Sequence, residues 1–183
     1  MVTLLYSGNF GIGHELDTIL RGLRAANGDG CVRVLLVGGG KGLTTVRRLV
    51  DELGLHDVEF RPPVPLYELQ HLLAAGDVHL VAQKPRTEGL IVPSKIYGTL
   101  AAGRPVIFVG PEHCEVAQIV RDSGCGFVVP PGDIQAAAEA LRQLAGDAEL
   151  RHQMGERAKN FYQQNFGRDR SVARIVSLIE SST

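Results

Sequence analysis

Four segments of this chain combine glycine with charged or imidazole side chains, and each directly follows a short apolar run. They are Gly8-Asn9-Phe10-Gly11-Ile12-Gly13-His14, Gly38-Gly39-Gly40-Lys41-Gly42, Gln83-Lys84-Pro85-Arg86-Thr87-Glu88-Gly89 and Gly110-Pro111-Glu112-His113. Glycine bares backbone N–H groups, and Lys or Arg beside them completes an anion site, most naturally one for phosphate. For any single loop the plainer alternative is a tight turn that only glycine permits. Pro93-Ser94-Lys95 adds a helix start, with Ser94 expected as its N-cap and Lys95 turning positive charge toward the same edge. The residues expected at a phosphorylated ligand are Gly8, Asn9, Gly11, Gly13, His14, Gly38, Lys41, Lys84, Arg86, Ser94 and Lys95. Glu88 is expected to accept hydrogen bonds from sugar hydroxyls.

Several chemistries are disfavoured by spacing. Gly8, Gly11 and Gly13 do not make the G-x-G-x-x-G of dinucleotide sites, and Lys41 lacks the flanking residues of a P-loop. No D-x-D occurs, and no His, Asp or Glu cluster has metal-ligand spacing, so neither a metal nor another cofactor is expected. No G-x-S-x-G elbow is present for a hydrolase triad. His79 lies in an apolar run and reads as structural.

The elements that must position these loops alternate regularly. Strands are expected at 2–7, 32–37, 58–60, 78–81, 106–109 and 127–129. Between them run helical stripes: Leu16, Ile19, Leu20 and Leu23; Val46, Leu49, Val50 and Leu53; Leu66, Leu69, Leu72 and Leu73; a helix over 94–102; and Val116, Ile119 and Val120. Continuously apolar strands are covered on both faces, which predicts an α/β, doubly wound parallel sheet of about six strands. Ligands bind such sheets outside the carboxyl ends of the strands, where these four loops fall. After Val129 the pattern turns to extra C-terminal helices, with stripes Ile134-Ala138-Leu141-Leu144 and Val172-Ile175-Val176-Ile179.

The chain has 183 residues, a formal net charge of -1, 44% hydrophobic and 21% charged residues, which suits one globular domain over 1–183. The balance argues against a nucleic-acid partner. Cys31, Cys114 and Cys125 form no framework or C-x-x-C pair and read as half-buried thiols in a reducing cytoplasm. No apolar run approaches the ~18 residues of a membrane span.

The order of segments resembles a known family. V-L-L-V-G-G-G-K, V-E-F-R-P-P-V-P-L-Y-E-L-Q-H-L-L-A-A-G-D-V, E-G-L-I-V-P-S-K-I-Y-G-T-L-A-A-G-R-P-V-I and G-C-G-F-V-V-P are similar to the C-terminal, donor-binding half of family 4 (group 1) retaining glycosyltransferases of the GT-B fold. The nearest type builds bacterial capsule, colanic-acid or O-antigen sugars. The resemblance implies a Rossmann-like half that binds a nucleotide-sugar donor, often UDP-linked. It places the diphosphate against the first loop and the Ser94 helix start, and the base and ribose nearer the third and fourth strand ends. It implies transfer with retention and without a metal, the protein stabilising the leaving diphosphate. It also implies a missing N-terminal acceptor domain or partner subunit. Through that half come a lipid-linked acceptor and a cytoplasmic location at the inner face of the membrane. The terminal stripe around 172–179 would cross back onto that half.

Two positions depart from the family pattern. Its paired glutamates fall at Leu90 and Gly98 here, with Glu88 two residues early; its first-loop Arg and Lys fall near Ile12 and His14. Three alternatives stay open: a non-catalytic nucleotide-binding or phosphate-binding module, the catalytic subunit of a two-subunit glycosyltransferase, and half of a UDP-sugar epimerase.

Overall fold

A computed structural model of the chain describes residues 1–11, 14–26, 30–90 and 92–167, together with 172, 176, 177, 179 and 180. The first strands are mostly apolar, broken by Thr3, Ser7 and the exposed Arg33, and pair in parallel, because each is followed by a helix that carries the chain back over the sheet. The strands are β1 (Val2–Ser7), β2 (Val32–Val37), β3 (Val58–Arg61), β4 (Val78–Ala82), β5 (Val106–Val109) and β6 (Gly126–Val129). The helices are α1 (Asp17–Ala26), α2 (Leu43–Glu52), α3 (Leu69–Ala75), α4 (Lys95–Ala101), α5 (Glu115–Ser123), α6 (Ile134–Gly146) and α7 (Ala148–Asn165). The sheet order is β3-β2-β1-β4-β5-β6, so the chain reverses direction across the sheet between β1 and β4. This is the doubly wound α/β sheet expected from the alternation.

β1 and β4 pair only at Leu4 with Val78 and Leu5 with His79, although β1 runs on to Ser7 and β4 to Ala82. The two strands part at their carboxyl ends, and that parting opens the crevice. Central strands β1, β4 and β5 are buried almost throughout, with Leu5, Tyr6, Val81 and Phe108 at 0% exposure. Edge strand β3 instead alternates, as a half-covered strand should.

Several local expectations are corrected. Leu66 does not join the face of α3. It sits with Tyr67 in a short 3-10 turn (Leu66–Glu68) and is 83% exposed. The reason is the proline-rich lead, Pro62-Pro63-Val64-Pro65, which holds the chain extended up to that turn. Cys31 is exposed, whereas Cys114 and Cys125 are buried; none forms a disulfide. Helix α7 carries no clear apolar stripe and is invisible to a periodicity reading. It docks through small residues, since Gly155 and Ala158 let its backbone approach Gly103 so closely that a Cβ at Gly155 would overlap the Gly103 carbonyl oxygen. Of the terminal stripe, Val172, Val176 and Ile179 are exposed and Ile175 lies outside the described residues.

His79 is structural, as its apolar strand suggests. It is 3% exposed; its Nε2–H donates to the Leu73 carbonyl (2.9 Å), and its Nδ1 accepts from the Thr99 hydroxyl (3.1 Å). Burial, the largest cause, lowers its pKa from 6.5 to about 4. The folded state then binds fewer protons than the unfolded state between those values, so stability is lost as pH falls from 6.5 toward 4. Up to roughly 3 kcal/mol rides on this group. In urea unfolding at pH 7 and pH 4.5, His79→Gln is expected to lose much of the acid sensitivity of the native chain. An unchanged pH slope would assign that sensitivity elsewhere.

Candidate functional site

The crevice is built from the loops after β1 and β4. Gly8 N–H donates to the Val37 carbonyl (2.9 Å), Phe10 N–H to Gly39 (2.8 Å), and Gly42 N–H to the Phe10 carbonyl (2.8 Å). The first two glycine loops are therefore laced together. Gly38 (φ +145°) shows why glycine is needed: a Cβ there would overlap the Gly8 carbonyl oxygen. Gly40 is similar, its bare Cα facing Asn9 Oδ1. Much of the second loop's glycine content is thus explained by close backbone approach, which in turn fixes the shape of the first loop.

Lys95 lies at the centre. Its Nζ is buried, has no hydrogen-bond partner, and stands 3.7 Å from the centroid of the Tyr6 ring. A Cβ on Gly8 would lie 3.2 Å from that Nζ, a tight contact that would press on the amine, and the backbone φ of +144° favours glycine there. Desolvation lowers the Lys95 pKa from 10.5 to about 7. A buried cation without a counter-ion is costly, and an incoming anion would remove that cost.

His14 holds the parted strands. Its Nδ1–H donates to the Ala82 carbonyl (3.0 Å) at the end of β4, which leaves Nε2 for a ligand. Its ring meets Tyr6 edge-on, with centroids 6.0 Å apart. Desolvation first, then Lys95, push its pKa below the usual histidine value; Lys84 adds to the effect, and the bond to Ala82 opposes it.

A cavity of about 540 Å³ brings Gly8, Asn9, His14, Ser94 and Lys95 together beside Gly98 and Thr99. A neighbouring hollow of about 410 Å³ shares Gly8 and Asn9 and extends the surface over Gly38 to Pro63 and Val64 at the end of β3. The structure does not bring the other described residues of the expected set into this cavity. Gly11, Lys41 and Lys84 line a separate hollow of about 460 Å³ with His14 as the shared wall. Glu15 borders it with Oε2 buried and unpartnered, and its carboxyl is raised chiefly by desolvation. Glu88 lines another, of about 430 Å³, with Gln83, His113 and Glu115. Arg86 is exposed and lines none of these. Gly13 lies outside the described residues. So the described residues grouped by the sequence divide over these four hollows, and Arg86 lies in none of them.

Ser94 is corrected in its role. It precedes α4, but with φ -58° and ψ -17° it is already helical, and its side chain makes no capping bond. Ile96 N–H donates to Pro93 (3.1 Å) and Tyr97 N–H to Ser94 (3.2 Å), so two first-turn N–H groups are already used. The anion-holding power of this corner resides in the Lys95 ammonium more than in the helix start. At Gly98 an added Cβ would make only an ordinary contact with Leu73 Cδ1, at 3.5 Å, so the position where the family pattern has a glutamate does not exclude a side chain. Among the described residues no group of three His, Cys, Asp or Glu could hold a metal ion. Sequence reasoning missed Tyr6, whose strand position looks like any core aromatic. It also missed Glu115 and assigned His113, named in the fourth loop, no place in the site; only the approach of the β4 loop to α5 brings both beside Glu88.

Residues 2–161 match the family described as glycosyl transferases group 1. The chain is 34% identical over 146 residues to a D-inositol 3-phosphate glycosyltransferase of Streptomyces coelicolor, covering 76% of this chain and 30% of that protein. It is 30% identical over 158 residues to the O-antigen chain mannosyltransferase C of Escherichia coli, covering 79% of this chain and 38% of that protein. Among solved structures, Anabaena HepE in complex with UDP and glucose has a TM-score of 0.81 at 18% identity, over 98% of this chain and 48% of that one. At that identity the likeness speaks for the fold. The chain spans less than half the length of these curated relatives. With the family model matched over residues 2–161, this chain belongs to the glycosyl transferases group 1 family.

Proposed function

We propose that the crevice between β1 and β4 holds the diphosphate of a nucleotide-sugar donor, UDP-linked by preference, within a retaining, metal-independent glycosyltransferase of bacterial surface polysaccharide synthesis. One observation carries this reading: Lys95 offers a buried, unpartnered cation against the bare Cα of Gly8. His14 Nε2 lines the same cavity. The hollow over Pro63 and Val64 offers an apolar surface for the base. HepE, of like fold, was solved with UDP and glucose, and the O-antigen mannosyltransferase belongs to surface polysaccharide synthesis.

In this reading Lys95 and the first-loop backbone stabilise charge on the leaving diphosphate, which is where electrostatic catalysis acts. The cationic donor set suits a diphosphate without a bridging metal, so chelator should leave affinity unchanged. The acceptor, lipid-linked, and the residues that complete the reaction come from a further domain or subunit of a cytoplasmic enzyme working at the inner membrane face. Among the described residues no helix is long and apolar enough to cross a membrane.

Calorimetric titration with UDP, GDP and UDP-sugars tests this. UDP is expected to bind, Lys95→Ala to weaken it roughly tenfold or more, and Lys41→Ala to change it less than about threefold, since a charge-assisted bond is lost only in the first. Silence towards UDP, GDP and ADP at millimolar concentration would overturn the donor-site reading. Equal affinities for the two variants would remove Lys95 from the site.

A further inference from the structure

Tyr6 belongs to no expected site, yet three site residues rest on it. It is fully buried at the carboxyl end of β1, just beyond the last residue that pairs with β4. Its ring face lies 3.7 Å below the Lys95 ammonium. Its hydroxyl donates to the Asn9 carbonyl (2.8 Å), tying down the first loop. His14 meets its ring edge-on, and Phe10 packs against it with centroids 5.1 Å apart.

The ring does something for Lys95 that a leucine of similar volume could not. An aromatic face attracts a desolvated ammonium through its quadrupole, yet supplies no carboxylate that would neutralise it. The amine is thus kept in place while its hydrogen-bonding capacity stays unspent. A lysine otherwise has three rotatable donors on a flexible stem and would lose much freedom on meeting a phosphate. The hydroxyl bond to Asn9 sets the distance between that amine and the loop that faces it.

We propose that Tyr6 is a positioning residue that holds the Lys95 ammonium and the Gly8–Asn9 turn in the arrangement a diphosphate needs, and that it keeps this hold when the ligand is bound. The proposal rests on the reading of the crevice as a phosphate site, and it acts through Lys95 and not by contact with the ligand.

The test uses the native chain with ¹³C-labelled lysine and two probes, inorganic pyrophosphate and UDP. In the free protein the Lys95 ε-methylene signal is expected upfield of the other lysines, shifted by the Tyr6 ring current. It should stay upfield when pyrophosphate saturates the site. A return to the ordinary lysine position on binding would overturn the proposal, because the ring would then hold the amine only in the empty protein. Tyr6→Leu is expected to weaken pyrophosphate about tenfold and to lower the Lys95 titration midpoint; Tyr6→Phe, which keeps the ring, should leave that midpoint in place. The amine faces the Tyr6 ring on β1 and acts on His14 of the first loop, and His79 on β4 lines the same cavity, so the two histidine signals are followed in parallel. In a Lys95→Met background Tyr6→Leu should cost far less affinity than in the native chain, and no more than Tyr6→Phe costs there, because only the hydroxyl bond to Asn9 is then left to lose. An equal loss in both backgrounds would mean a general structural role and sink the idea. Should Tyr6→Leu not fold, the ring-current measurement on the native chain decides alone. Pyrophosphate binding without UDP binding would end the donor reading and leave this inference standing. UDP binding that is lost in Lys95→Ala but untouched in both Tyr6 variants would do the reverse.

Discussion

Lys95→Met is expected to yield a more stable protein that has lost its grip on a diphosphate. The native amine is buried without a hydrogen-bond partner, and desolvation brings its pKa from 10.5 to about 7. Methionine fills the same unbranched space without a charge to desolvate. Above pH 10.5 the amine is neutral in both folded and unfolded chains and the native protein carries no penalty. As pH falls the unfolded chain takes up the proton first, so the penalty grows until about pH 7 and is constant below it. It amounts to roughly 4 kcal/mol at neutral pH, of which the attraction of the Tyr6 ring offsets about 1 kcal/mol. Urea unfolding should therefore show a gap between variant and native chain of about 3 kcal/mol at pH 6.5, shrinking by pH 9.5. UDP affinity should fall roughly 10- to 100-fold in the same variant. A variant no more stable than the native chain, or one that binds UDP normally, would contradict the reading of Lys95 as a site residue held at a cost to the fold.

Gly38→Ala should be the most damaging single methyl in the crevice. Gly38 has φ +145°, and its added Cβ would overlap the carbonyl oxygen of Gly8, which is backbone and cannot swing aside. Strained backbone and overlap together should cost about 3–5 kcal/mol. The damage should reach the ligand, because the laced loops share the bond from Phe10 N–H to the Gly39 carbonyl. Gly146→Ala is the control. At the end of α6 an added Cβ meets nothing within 4 Å, and alanine should be neutral or stabilising by up to about 1 kcal/mol. Thermal unfolding of the two variants checks this, and a Gly38→Ala chain with native stability would show that the two loops can separate at little cost.

Much of the fold is legible in the residue pattern, because a parallel strand covered on both faces is apolar along most of its length. Val2–Ser7, Val32–Val37 and Val106–Val109 stand out for that reason. Helix α7 does not, because it packs through Gly155 and Ala158, and small residues carry no hydrophobic signal. Lys95 could be suspected from its place beside a proline and a serine. Its isolation could not, since burial of one amine depends on where Tyr6, Gly8 and α4 meet. The roles of Ser94 and of the second glycine loop were only half visible: the residue types suit caps and phosphate cradles, but backbone angles decide that Ser94 does not cap and that Gly38 packs.

By itself, then, the sequence determined the strands, the doubly wound parallel class and the edge of the sheet on which chemistry could occur. These follow from hydrophobic periodicity and from where glycine can sit, both local properties. The tertiary structure decided which charged residues share a cavity. Lys95 faces the first loop, while Lys41 and Lys84 stand on the far side of His14 and Glu88 lies in another hollow. That division depends on β1 and β4 parting after Leu5 and His79, and on His14 filling the gap by its bond to Ala82. Both are contacts between segments far apart in the chain, which no local spacing encodes.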